Sequence, residues 1–162
     1  HAEHDDISWL REIPTCKIKG IDGYMYEPMW IHPIEAEKRG IKTGDIIGMY
    51  NERGMVLGGA YVTERIIPGA VYQDHGARAD PIVADPDIPR SEWIDRGGAN
   101  NLICPEPTIS RNATGQVASG FLVEVKKVDI DELKAKYPEA FERDYDPASG
   151  LRFSGWVEGG LL

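Results

Sequence analysis

From Asn51 to Gly76 the chain reads NERGMVLGGAYVTERIIPGAVYQDHG. Glu52-Arg53-Gly54 forms a turn, where glycine lets the backbone reverse with a positive φ. The run MVLGGAYVTERI then returns as the partner of a strand that starts at Ile46. Pro68-Gly69 fits the centre of a type II turn, proline pre-setting φ and glycine taking the left-handed conformation. AVYQDHG reads as a third strand, so the stretch is expected to be a barrel-building meander of fixed register. It holds no Ser/His/Asp grouping, no acid pair with a base and no metal-ligand spacing. Its expected role is scaffold.

Upstream, CKIKGIDGYMYEP at 16–28 reads as a short strand, a turn at Asp22-Gly23 and an aromatic-rich extended piece. Pro33 opens a short helix, PIEAEKRG, with His32 at its start and Gly40 just past its end. Thr43-Gly44-Asp45 is the turn feeding the strand at Ile46. Downstream, residues 80–100 are dominated by Pro, Asp and Gly around an amphipathic SEWI, and a loop of that length is expected to be functional or to dock a partner. NNLICP at 100–105 is expected to be extended. QVASGFLVEVKKV is the last strand, with Phe121, Val123 and Val125 on one face. DIDELKAKYPEAFERDY, from Asp129, is one helix opened by a capping box of Asp129 and Glu132, with Ile130, Leu133 and Tyr137 along one side. The tail beyond it, with Phe153 and Trp156, is too apolar to be free and is expected to pack.

A chain of 162 residues can bury one real core, and its 18 Gly and 11 Pro argue for strands, turns and ordered loops over a helical bundle. The net charge of −9 argues against extended contact with nucleic acid or an anionic membrane surface. A phosphorylated ligand would have to be met by local N–H groups, amides or single basic residues. Cys16 and Cys104 make no disulfide framework, so a reducing, cytoplasmic setting is expected. No apolar run nears the roughly 18 residues of a membrane span and no signal peptide is present, so membrane insertion is not expected. A first residue of His is expected of a processed product or an excised fragment.

His1 and His4 stand beside Asp5 and Asp6, but a zinc site wants three or four ligands, and the other histidines are distant in sequence. The pair reads as a polar terminus or the end of a loop. His75 closes the third strand where the loops begin, a position that suits either a site residue or a surface one. In IDRGGANNLICP, Gly97-Gly98 permit close backbone approach, and Asn100 and Asn101 supply neutral donors and acceptors suited to a heterocycle edge. Asparagines after glycines are equally common turn residues. The acidic clusters at Asp80–Asp87 and Asp129–Glu132 read as a solvated loop and a helix cap. No nucleophile comes with a base and an orienter, so no catalytic residue is expected.

One series of motifs is specific as a set: Ala36-Glu37 with Gly40-Ile41, Gly44-Asp45, Asn51-Glu52-Arg53-Gly54, and Val62 to Val71 carrying V-T-x-R-I-x-P-G-x-V. Followed by GGANNLICP, it resembles the C-terminal domain of the molybdopterin oxidoreductases, the dimethyl sulfoxide reductase family, over most of residues 24–125. Within that family, DGYMYEPMWIHP and IDRGGANNL are most similar to the pyrogallol–phloroglucinol transhydroxylase group, which acts on hydroxylated aromatics. The resemblance implies a mainly β fold, a six-stranded double-psi β-barrel with short helices and a C-terminal helix. It also implies a lead-in over 1–23, the barrel over 24–128, and a helix and tail over 129–162. The implied cofactor is bis-molybdopterin guanine dinucleotide with Mo or W, whose metal and metal ligand lie in other domains. The implied partners are those other domains of the parent catalytic subunit and an iron–sulfur subunit, in a bacterial cytoplasm or, for the parent, a periplasm. Asn101 matches the family asparagine that faces the pterin, His75 falls on the same side, and His1 and His4 fall at the end of the loop preceding the barrel; Asn100, the neighbouring amide, is expected to bind the cofactor with them. Three features depart from the pattern: the loop before the barrel is truncated, Cys104 replaces a threonine, and no P-x-x-K precedes the last strand. The alternative is a free-standing double-psi barrel acting as a binding or assembly module. A small aspartate-decarboxylase-like enzyme shares the fold but needs a self-processing Gly-Ser pair, which the chain lacks.

Overall fold

The computed structural model describes residues 17–74, 77–105, 108–110, 113–116 and 120–143. The fold is mainly β. In chain order its elements are β1 (Ile18–Lys19), β2 (Met25–Tyr26), β3 (Pro28–Ile31), α1 (Pro33–Lys38), β4 (Ile46–Asn51), β5 (Gly54–Val62) and β6 (Val71–Gln73). There follow β7 (Pro81–Val83), β8 (Ile94–Asp95), β9 (Thr108–Ser110), β10 (Ala113–Gln116), β11 (Glu124–Lys127), α2 (Ile130–Lys136) and α3 (Pro138–Glu142).

β5 is the spine. β4 pairs antiparallel along one edge, from Asn51 opposite Gly54 to Ile46 opposite Gly59. The other edge is shared: β8 runs parallel beside Met55 and Val56, and β3 runs parallel beside Gly59 to Val62. Beyond these, β11 flanks β4 and β6 flanks β3, so the sheet reads β11-β4-β5-β3-β6, with β7 and β8 as a branch. Among the described residues this sheet has two ends and does not close on itself. The fork sits at Gly58-Gly59. A Cβ on Gly59 would lie 2.4 Å from Cβ of Ile18, so only glycine lets β1 cross there.

The expected meander is therefore corrected at its third strand. β6 pairs with β3, and β3 lies between it and β5. A parallel partner needs a crossover, and α1 with β4 supplies the one from β3 to β5. With Met29 and Ile31 almost wholly buried, β3 occupies the edge that β6 would need, and residues 63–70 carry the chain across it.

Side chains of the sheet alternate between two cores. Ile46, Met55 and Leu57 enter one with Tyr26, Ile82 and Ile94, while Ile47, Met49, Val56 and Ala60 enter the other with Met29, Ile31 and Ile103. Burial on both faces explains why residues 54–60 read as a continuous apolar run. Phe121, Val123 and Val125 pack on the second core as their spacing predicts, although the strand itself starts only at Glu124.

The short-range signals hold. His32 Nδ1 accepts from the N–H of Ile34 at 3.2 Å, and Gly40 ends α1 with φ 64°. Gly69 takes φ 81° in the Pro-Gly turn, and Asp129 Oδ1 accepts from the N–H groups of Asp131 and Glu132 at 2.9 and 3.2 Å. The single helix expected from Asp129 is two. Pro138 has no N–H and excludes helical backbone at Tyr137, which sits at φ −131°, ψ 58°. Ile130 and Ala140 still seal the first core, with Leu133, Tyr137 and Phe141 packed alongside. NNLICP is not extended. Asn100–Leu102 is a 3₁₀ turn, because the carbonyl of Asn100 accepts from both Ile103 and Cys104 and turns Ile103 fully inward. Phe153, Trp156 and the rest of the tail lie outside the described residues.

Candidate functional site

A cleft of about 770 Å³ opens where the end of β6, the 3₁₀ turn at Asn100 and the segment before β11 meet. Ile31, Met49, Val123 and Val125 give it apolar lining, and Gln73, Asp74, Asn100 and Asn101 give it polar groups. Glu35 and Arg39 of α1 also line it. Hydrogen bonds from Lys38 first and Arg39 second hold the Glu35 carboxyl below the usual carboxylate range. Cys104 lines the cleft too, and burial pushes its thiol up despite the charge of Arg53. It is a neutral packing group. Among the described residues no three His, Cys, Asp or Glu side chains gather as a metal site would require.

Two side chains stitch the ends of the cleft together. Gln73 Nε2 donates to the carbonyl of Gly98 at 3.2 Å, and Asn100 Nδ2 donates to the carbonyl of Asp74 at 3.1 Å. The same two amides each keep a buried oxygen, Gln73 Oε1 and Asn100 Oδ1, that finds no partner among the described residues. Buried acceptors are rarely left so.

The loop presenting Asn100 is built on a buried carboxylate. Asp95 Oδ1 accepts from the N–H groups of Gly98 and Ala99 at 2.8 and 2.9 Å, and Oδ2 accepts from Asp80 at 2.7 Å. Burial pushes the Asp95 carboxyl above its ordinary range, and the three N–H bonds only partly offset it. Gly97 lies so close to the segment leading into β7 that a Cβ there would sit 1.9 Å from the carbonyl oxygen of Arg78. Gly97 thus permits close approach, as expected, but of the protein's own backbone. Asp80, read as part of a solvated loop, is 5% exposed and bonds Arg96 at 3.0 Å and also Arg143. Arg96 in turn stacks on Tyr24 and Phe141, 4.3 and 4.8 Å from the ring centres, so α3 and the cleft loop share one charged joint.

Asn51 connects the hairpin to the same loop. Its Oδ1 accepts from the N–H of Arg53 at 2.9 Å within the turn, and its Nδ2 donates to the buried carbonyl of Ile103 at 2.8 Å. Asn51→Ala is expected to lower stability by about 2 kcal/mol. Hydrogen exchange read at Ile103 and Cys104 checks it, since a purely local turn defect would leave that pair protected.

The family model of the molydopterin (molybdopterin) dinucleotide binding domain matches residues 18–119, well over half the chain. The chain belongs to that family. The large subunit of pyrogallol hydroxytransferase from Pelobacter acidigallici is 41% identical over 125 residues, 77% of this chain and 14% of that protein. Trimethylamine-N-oxide reductase of Haemophilus influenzae is 37% identical over 102 residues, 62% of this chain and 12% of that protein. Dimethyl sulfoxide reductase DmsA of Escherichia coli is 39% identical over 102 residues, 63% of this chain and 11% of that protein. The domain thus spans about one-seventh of the length of its curated relatives or less. A free-standing module is not what these matches favour.

The cleft fits a pterin dinucleotide in kind: it sets the side-chain amides of Gln73, Asn100 and Asn101 beside apolar lining. Of the residues expected at the site, Asn100 and Asn101 line this one cleft. His75, which follows the cleft residue Asp74, lies outside the described residues, as do His1 and His4. Gln73, Asp95 and Glu27 escaped the sequence reading. Glu27 is 3% exposed, pairs with Lys17 and lies beneath Gly98, where a Cβ would come within 2.7 Å of its Cγ. Gln73 had a signal, since it lies in the AVYQDHG run that reads as the third strand. Asp95 and Glu27 had none, because nothing in a local charge pattern says which carboxylate is buried.

Proposed function

We propose that this domain covers the pterin part of a molybdopterin guanine dinucleotide cofactor, bis form, in a larger molybdenum or tungsten enzyme. The observation that carries the reading is a cleft, lined mostly by residues of the family match, that sets the side-chain amides of Gln73, Asn100 and Asn101 beside apolar groups. Asn100 and Asn101 would hold ring atoms from one side, with His75 next to Asp74 and His1 and His4 at the end of the preceding loop. When bound, the cofactor supplies the oxygen, hydroxyl or electron transfer, while the domain contributes orientation, hydrogen bonds and exclusion of water. It has no turnover alone.

The parent enzyme acts on a hydroxylated aromatic, a reading supported by the 41% identity to the pyrogallol enzyme. Its other domains, an iron–sulfur subunit and a bacterial cytoplasmic setting belong to the same proposal. So does the finer architecture: a six-stranded double-psi barrel over 24–128, supported by the parallel β3–β5 and β5–β8 pairs and the forked spine. Residues 1–23 then form the lead-in, and 129–162 the outer helices and tail.

The protein that carries this chain in its source, once purified, is expected to be several times heavier than 18.0 kDa. It should hold molybdenum or tungsten and release a guanine nucleotide on denaturation. A metal-free protein of the chain's own mass contradicts the proposal.

A further inference from the structure

We infer that an aromatic row on the sheet, Tyr61–Trp30–Tyr72, is the docking surface for the chain's own residues 7–16, ISWLREIPTC, which lie outside the described residues. The inference does not depend on the cofactor.

Three adjacent strands build the row. Trp30 of β3 stands opposite Tyr61 of β5 and Tyr72 of β6. Its ring centre lies 5.7 Å from that of Tyr61 and 5.2 Å from that of Tyr72, with the planes inclined at 57° and 63°. Rings tilted in this way attract one another. Even so the row is not a core: Trp30 is half-buried, and Tyr61 and Tyr72 are 37% and 44% exposed. Adjoining aromatics at a surface mark a contact site more strongly than scattered ones do.

β1 identifies the occupant. Ile18 sits on the face to which Gly59 would point a Cβ. Tyr61, two residues on in β5, points the same way, so the chain already touches this face one pleat short of the row. Register then gives the direction of approach. Ile18 pairs with Tyr26 and Lys19 with Met25, antiparallel, so each step upstream of Ile18 answers one step downstream of Tyr26. The ion pair of Lys17 with Glu27 keeps to that register. Continued, it sets Pro14 level with Trp30. Both edges of β3 are taken, by β5 and β6, and its other face is closed by Met29 and Ile31 in the second core. A chain led along β3 must therefore lie on top of it, across the row. Pro14 brings no N–H that would need a partner there, and Ile7, Trp9, Leu10 and Ile13 bring apolar side chains. A segment tethered at the row's edge also outcompetes a separate partner, because its effective concentration is in the millimolar range.

The test reads tryptic cleavage after Arg11 in the full 162-residue chain, followed by mass spectrometry. Cleavage tracks the population of the undocked form, so it should be at least about tenfold slower than in a synthetic peptide of residues 1–16. Tyr61→Asp puts a charge into the row and should restore about tenfold of that rate. Ile21→Asp, on a side chain 80% exposed in the turn after β1, should leave it unchanged. Nuclear Overhauser spectra of the unaltered chain should show the methyl groups of Leu10 or Ile13 against the rings of Trp30 and Tyr61. If Tyr61→Asp does not fold, those spectra decide alone. Cleavage as fast as in the peptide, or equally slow in Tyr61→Asp, overturns the docking. So do methyl contacts to any other surface, and ring contacts that isotope filtering assigns to a second copy of the chain. Each of these leaves the function proposed above standing.

Discussion

Gly97→Ala is expected to destabilise the domain by roughly 3 kcal/mol or more. The added methyl carbon would lie 1.9 Å from the carbonyl oxygen of Arg78 and 2.8 Å from the nitrogen of Asp80, both backbone atoms that no rotamer change can move. The loop must therefore lift away from the segment leading into β7. Asp95 would then lose its grip on Gly98, Ala99 and Asp80, and Asn100 would leave the cleft. The proper control is Gly40→Ala, where nothing lies within 4 Å and only φ +64° is strained. That variant should cost about 1–2 kcal/mol. Denaturant midpoints of the two check the ordering, and equal midpoints would show that residue 97 has room to spare.

Asp95→Ala should cost on the order of 3–5 kcal/mol, because it strands the N–H groups of Asp80, Gly98 and Ala99. The pH dependence of this residue has an unusual sign. An acid whose pKa rises on folding binds its proton more tightly in the native state. In the window between the unfolded value, about 3.9, and the raised native value, the native state therefore carries more protons. Stability from Asp95 falls as pH rises through that window and is flat above it. Glu35, held low by Lys38 and Arg39, works in the opposite sense and loses its contribution as pH falls through its native value. Subtracting the stability curve of Asp95→Asn from that of the unaltered protein isolates the first effect. A difference that grows with pH in the acidic range would contradict the assignment.

What the chain announced was local. His32, Gly40, Pro68-Gly69 and Asp129 each act within a turn or two, and each does so as read. The alternation of Phe121, Val123 and Val125 named its buried face correctly. Pairing across the sheet was harder, because β5 is buried on both faces and its period says nothing about which strand takes which edge. The insertion of β3 between β5 and β6 follows from the crossover through α1, a non-local choice. The site divided in the same way. Asn100 and Asn101 were legible as amides after glycines, and both line the cleft. The crossed bonds of Gln73 and Asn100 were not, since they depend on where two carbonyls 25 and 26 residues away come to rest. Asp80 and Asp95 looked like any acidic loop until Arg96, Arg143 and three N–H groups closed around them.

The central claim is that the cleft beside Gln73 and Asn100 is where a pterin rests. Titrating the ¹⁵N-labelled chain with pterin and following side-chain amide resonances tests it most directly. The expected result is progressive shifts at Gln73, Asn100 and Asn101, with the α2 amides unmoved. Unchanged spectra at millimolar pterin, or shifts confined to the first core and its helices, would contradict it.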